Sequence, residues 1–177
     1  AGCELTADEW LRIAEAARAK GMLFLHSASL LYEGKAWLFS GSSGTGKSTH
    51  TNLWHTLWGT PVLNGDLNLL AIKDGKPMIY GTPWCGTSGI SDSASYPLGG
   101  VVLLKQASGE RLETLSPDEQ IIGLLQRIIS SSDTCFSLCK NLEVIGEITK
   151  QIPVFRLHCT KEPQAAIYMK EQIDALR

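Results

Sequence analysis

The fold class this sequence predicts is mixed α/β, with a partly antiparallel sheet and helices concentrated in the C-terminal third. Three observations carry it. Apolar strand patterns fill the first two thirds of the chain and helical patterns the last third. The connections Glu33-Gly34-Lys35 and Lys73-Asp74-Gly75-Lys76 each separate two neighbouring apolar runs, and connections so short can join only antiparallel strands. A glycine-rich stretch, residues 41–46, lies between the apolar run Ala36-Trp37-Leu38-Phe39 and a helix-like segment, residues 47–58.

Taken in order, Thr6 and Glu9 form a capping-box signal ahead of an amphipathic helix over 7–20, which stops at Gly21. Two strand runs follow, 22–25 and 29–32, and the hairpin turn then delivers the strand ahead of the glycines. Residues 60–63 make a short strand. Residues 68–72 pair with 77–80 across Asp74-Gly75, a strong hairpin signal. An irregular stretch, 81–95, leads to a buried strand at 101–104. Ser116-Pro117-Asp118-Glu119 caps a helix expected to run to Ile129, a second runs from about 133 to 151, residues 154–157 form a strand, and Thr160 caps a last helix. No repeat, linker or low-complexity tract divides the chain, so residues 1–177 read as one domain.

The composition, 44% hydrophobic and 19% charged, is that of a water-soluble globular domain. A net charge of -2 with scattered lysines and arginines argues against nucleic acid as a partner. No apolar stretch approaches a membrane span and no signal-peptide order opens the chain, so no membrane and a cytoplasmic setting are expected; a homo-oligomer is left open. Five cysteines, Cys3, Cys85, Cys135, Cys139 and Cys159, form no paired framework and read as reduced. Cys135 and Cys139 share a helical face, but no neighbouring ligand completes a metal site, and buried, apolar-like thiols are the expectation. The chain opens Ala1-Gly2 rather than with methionine, an opening expected of either a processed or a tagged polypeptide.

Gly41-Ser42-Ser43-Gly44-Thr45-Gly46-Lys47-Ser48-Thr49 fits the phosphate-binding pattern G-x-x-x-x-G-K-[ST]. Its glycines let several amide N–H groups converge on one phosphate, and the following helix adds its positive end. Lys47 is expected to reach the β- and γ-phosphates and Ser48 to place its hydroxyl on magnesium. The implied ligands are a nucleotide, ATP or GTP, with Mg. A second metal anchor is expected at a strand end near the loop, and Asp66 in Asn64-Gly65-Asp66 is the candidate; the same three residues also read as turn chemistry. Lys47 and Asp66 are therefore the catalytic candidates. His26 lies fifteen positions ahead of Gly41 and, with Cys85 and Asp92 from the irregular stretch, is a candidate for the substrate side. Cys85 has no visible neighbour that would lower its pKa. His50 and His55 read as surface residues of the helix after the loop.

His26, the hairpin, the loop from Gly41 to Ser48 and the strand end at Asp66 together resemble the catalytic domain of the HPr serine kinase/phosphorylase family and its kinase-like relatives. That family shares its phosphate-loop fold with ATP-dependent phosphoenolpyruvate carboxykinase. The resemblance covers about residues 23–175 and implies a mixed-sheet domain that binds ATP and magnesium and phosphorylates a hydroxyl group. His26 matches the family's histidine ahead of the loop. Where the family has two adjacent aspartates, one for the metal and one as base, Gly65-Asp66 supplies one. Thr49 stands where the protein-kinase members carry an acid, and their docking segment for HPr is absent. The resemblance thus implies a relative acting on another hydroxyl, of a small molecule or a protein; the alternative is a nucleotide-binding regulatory domain without phosphotransfer.

Overall fold

The computed structural model describes residues 6–82, 94–129 and 135–177. Their elements run α1 (Ala7–Ala19), β1 (Met22–Tyr32), β2 (Lys35–Ser40), α2 (Lys47–Trp58), β3 (Val62–Asn64), β4 (Leu67–Lys73), β5 (Lys76–Tyr80), β6 (Ser95–Gln106), β7 (Arg111–Thr114), α3 (Pro117–Leu125), α4 (Cys135–Gln151), β8 (Val154–Cys159) and α5 (Pro163–Asp174). The sheet is mixed. β2 lies between β1, which it meets antiparallel from Ser27↔Ser40 to Tyr32↔Lys35, and β6, which runs parallel to it. β8 continues the parallel run beyond β6, and β7 closes that side antiparallel. Both hairpin turns hold their two central residues at positive φ, Glu33 at 53° with Gly34 at 74° and Asp74 at 51° with Gly75 at 75°. That conformation matches the twist of the strands and fixes their register.

The long strands β1 and β6 belong to two sheets at once. The first half of β1 pairs with β4, which pairs with β5, which pairs with the start of β6; their second halves both flank β2. The two runs expected at 22–25 and 29–32 are therefore one strand. β2 is buried on both faces, which is why it reads as a continuous apolar run. Ala36 and Leu38 join Val101, Leu103, Leu124, Ile145 and Ile148 in a core under α3 and α4. Trp37 and Phe39 point the other way, into a core with Trp54 of α2 and Ala165, Ala166 and Met169 of α5. α1, capped by Thr6 and Glu9 as expected, covers Phe24 and Leu67.

Several expectations are corrected. α3 ends at Leu125, not Ile129, because residues 127–129 leave the helix to bond to β1. The N-cap of α5 is Glu162, while the Thr160 hydroxyl, two residues earlier, accepts the Glu162 N–H. β7 is an additional strand whose four mixed residues gave no apolar pattern. Cys135 and Cys139 are both exposed on α4, so the buried-thiol expectation fails for the pair, while Cys159 is buried; Cys3 and Cys85 lie outside the described residues.

His50 is not a surface residue: it is 2% exposed, stacked 4.5 Å from the Phe39 ring, and its Nε2 accepts the Trp54 Nε1–H at 3.1 Å. Burial without a counter-charge lowers its pKa from 6.5 to about 4. The unfolded chain therefore takes up a proton that the folded chain refuses. The stabilisation is fully present above pH 6.5 and is lost as pH falls toward 4. Urea unfolding should show up to ~3 kcal/mol less stability at pH 4 than at pH 7 from this one group, and the His50→Gln variant should show a flatter profile across that window.

Candidate functional site

The site forms where β1 changes partners on both edges at one level. On one edge β2 pairs with β1 as far as Ser27, and there the chain leaves at Ser40 into the glycine-rich loop. Residues 127–129 take over that edge: the Arg127 carbonyl accepts the His26 N–H at 2.9 Å and the Ile129 N–H bonds the Phe24 carbonyl at 3.0 Å. Between the two, the Ser40 hydroxyl donates to the His26 carbonyl. On the other edge β3 pairs with Ser29 and Leu30, β4 begins at His26↔Leu67, and the Asp66 carbonyl between them accepts the Ser27 N–H at 3.0 Å. Gly41, His26, Asp66 and Arg127 are thereby brought to one mouth from four separate stretches of chain.

Asn64 resolves the double reading of Asn64-Gly65-Asp66. Its buried Oδ1 accepts the backbone N–H groups of Asp66 at 2.9 Å and Leu67 at 3.0 Å, so the turn chemistry belongs to Asn64. The half-buried Asp66 carboxylate accepts no hydrogen bond among the described residues. A buried lattice beneath fixes the turn: Ser29 Oγ donates to Asn68 Oδ1 at 2.7 Å, and Asn68 Nδ2 donates to the Ser27 carbonyl and hydroxyl, each at 2.8 Å.

Gly46 adopts φ 98° and α2 starts behind it with no side-chain cap and no acid in its first turn. Its leading N–H groups and its positive end are therefore left for an anion. At Gly41 a Cβ would stand 2.6 Å from Thr45 Oγ1 and 3.1 Å from the Leu104 carbonyl, so only glycine lets the loop leave β2 beside β6. Lys47 Nζ donates back across the loop to the carbonyls of Gly41 at 3.1 Å and Ser42 at 3.3 Å. Burial holds its ammonium below the usual lysine range; the nearby Asp66 carboxylate opposes that shift and the Arg127 guanidinium adds to it. Lys47 thus feels the charges of both Asp66 and Arg127 at the mouth. The Ser48 hydroxyl donates to the Gly65 carbonyl at 3.0 Å, which ties the start of α2 to the residue before Asp66.

With its proton committed to Gly65, the Ser48 hydroxyl keeps its lone pairs for a hard cation, and Asp66 offers the carboxylate beside it. Two protein oxygens, the rest coming from phosphate and water, is a donor set that suits magnesium. Among the described residues no three of His, Cys, Asp and Glu converge as a cage for a metal held by protein alone. His26 is exposed at the mouth. Cys85 and Asp92 lie outside the described residues. Arg127 escaped sequence reasoning because its segment looked like the continuation of α3; no local signal marks it.

No family model and no curated protein matches the chain. Among solved structures, the HPr(Ser) kinase/phosphatase from Coxiella burnetii is similar to it with a TM-score of 0.49 at 12% identity, covering 87% of this chain and 95% of that one. So distant a match assigns no residue and no chemistry. No helix among the described residues is long and apolar enough to cross a membrane.

The division between Asn64 and Asp66 can be measured. Asn64→Ala strands two N–H groups, one of them buried, and should cost about 2 kcal/mol in urea unfolding. Asp66→Asn, which removes only a carboxylate without hydrogen-bond partners, should change stability by less than ~0.5 kcal/mol. Equal losses would return Asp66 to the turn.

Proposed function

We propose that the chain is an ATP- and magnesium-dependent phosphotransferase acting on a hydroxyl group of an unidentified small molecule or protein. The observation that carries this reading is the pairing at one mouth of an uncapped helix start bearing Lys47 and Ser48 with a half-buried carboxylate, Asp66, that has no structural employment. In this reading the amides of residues 41–49 bind the β- and γ-phosphates, and Lys47 moves its ammonium from the loop carbonyls onto them. Ser48 and Asp66 would hold magnesium, which supplies charge neutralisation on the phosphate oxygens. His26 and Arg127 line the side from which a hydroxyl enters, Arg127 adding positive charge where a negative acceptor would sit.

Phosphoryl transfer passes through a loose transition state with little bond formation to the acceptor, so positioning and electrostatics carry most of the rate. A single carboxylate is compatible with that demand. Asp66 or His26 then needs only to receive the hydroxyl proton late in the step. The second reading, nucleotide binding without transfer, is favoured by one feature: Asp66 stands alone where a metal ligand and a base would make two acids.

Lys47→Ala should abolish most of the rise in melting temperature that ATP with magnesium produces in the parent. Incubation with γ-labelled ATP and a metabolite-wide set of acceptors tests transfer itself. Asp66→Asn should lower the transfer rate by at least about a hundredfold while changing ATP affinity far less, because its charge acts on the transition state. Label that stays on ATP with every acceptor, with binding intact, would favour the regulatory reading; an unchanged ATP response in Lys47→Ala would overturn the phosphate-loop assignment.

A further inference from the structure

The far side of the glycine-rich loop is held by two side chains that lie well outside the motif. Gln106 Nε2, at the end of β6, donates to the Gly44 carbonyl at 2.8 Å, and Lys161 Nζ, after β8, donates to the same oxygen at 3.0 Å. The Lys161 stem also lies over Gly46, where an added Cβ would stand 3.2 to 3.7 Å from its carbons. Among the described residues Lys161 makes no ion pair; its ammonium is committed to a neutral carbonyl.

Its mounting is braced. Ala107 N–H bonds the Cys159 carbonyl at 2.9 Å, the Thr160 hydroxyl donates to Glu110 Oε1 at 2.6 Å, and the Glu162 N–H returns to Thr160 Oγ1 at 3.3 Å before Pro163 opens α5. The loop, by contrast, has Gly44 at φ 79° and Gly46 at φ 98°, positions of great conformational freedom in isolation. Its internal bonds end on two carbonyls: that of Ser42 takes the Thr45 N–H at 3.2 Å, the Thr45 hydroxyl at 2.8 Å and Lys47, and that of Gly41 takes Lys47 as well. The Thr45 N–H shares one planar peptide with the Gly44 carbonyl, so its bond to Ser42 aims that carbonyl out of the turn. Gln106 and Lys161 then hold it there from outside the loop.

We propose that Lys161 and Gln106 are positioning residues that hold the glycine-rich loop in its phosphate-binding shape through the Gly44 carbonyl. The proposal rests on the nucleotide reading above. A pre-set loop binds more tightly because the ordering is done before the ligand arrives. The dependence should therefore be on affinity for the phosphate chain and not on the stability of the fold.

The test compares Lys161→Met, which keeps the stem over Gly46 but removes the donor, with Lys161→Arg, Gln106→Leu and Lys47→Ala. Titration calorimetry with magnesium-ATP and magnesium-tripolyphosphate gives affinities, and ligand-free melting checks folding. Lys161→Met and Gln106→Leu should each weaken both ligands equally, by ~5-fold, as loss of one hydrogen bond predicts. Ligand-free melting should not move, and Lys161→Arg should restore the affinity. Parent-like affinity in either donor-deleted variant overturns the proposal, and so does a loss in Lys161→Met without one in Gln106→Leu, which would make the effect charge alone. A loss for ATP that spares tripolyphosphate also overturns it, since the residues would then touch the nucleoside. If Lys47→Ala binds ATP like the parent, the assignment of the nucleotide to this loop fails, a result separable from all of these.

Discussion

The mouth of this domain depends on β1 changing partners on both edges at the level of His26 and Ser27. A strand with a continuous ladder on each side would leave no room for a loop to depart or a turn to enter. Here Ser40 leaves on one edge and Asp66 enters on the other, and each gap is closed by a single bond: Ser40 hydroxyl to His26 carbonyl, and Ser27 N–H to Asp66 carbonyl. Because alternate residues of a strand present their backbone groups to opposite edges, adjacent residues can serve the two gaps at once. A shift of β1 by one residue would send His26 to the wrong edge and its side chain to the wrong face. The buried Ser27, Ser29 and Asn68 network makes that shift costly, since it would leave those polar groups without partners.

What the sequence made legible is what short-range chemistry decides. The two-residue turns could only make antiparallel hairpins, so the mixed sheet around β2 followed from counting residues. The capping boxes at Thr6 and Ser116 hold as read. The misreadings share one cause, tertiary contacts that a residue's own helical or strand pattern does not show. α3 stops early because the edge of β1 offers residues 127–129 a ladder that a helical pattern cannot foresee. His50 is buried because Phe39 and Trp54 close over it, although a histidine on a helix defaults to the surface. Lys161 reaches Gly44 across 117 positions, and nothing in its own neighbourhood advertises the loop.

Of the two sequence readings of Asn64-Gly65-Asp66, turn or site, the structure gives the turn bonds to Asn64. An Asn and an Asp two positions apart compete for the same backbone N–H groups, and in sequence either could win. Asn64 takes both, with its own amide held from beneath, so the carboxylate two residues later keeps its lone pairs. Had Asp66 taken them, its lone pairs would be committed to the turn. The amide is the better choice for the structural task because it accepts the bonds without carrying a buried charge. In the proposed reading it leaves the Asp66 carboxylate to join Ser48 in holding a cation, which would lower the cost of bringing a polyphosphate to the mouth. The charge on which the proposed function rests is available because a neutral neighbour does the folding work.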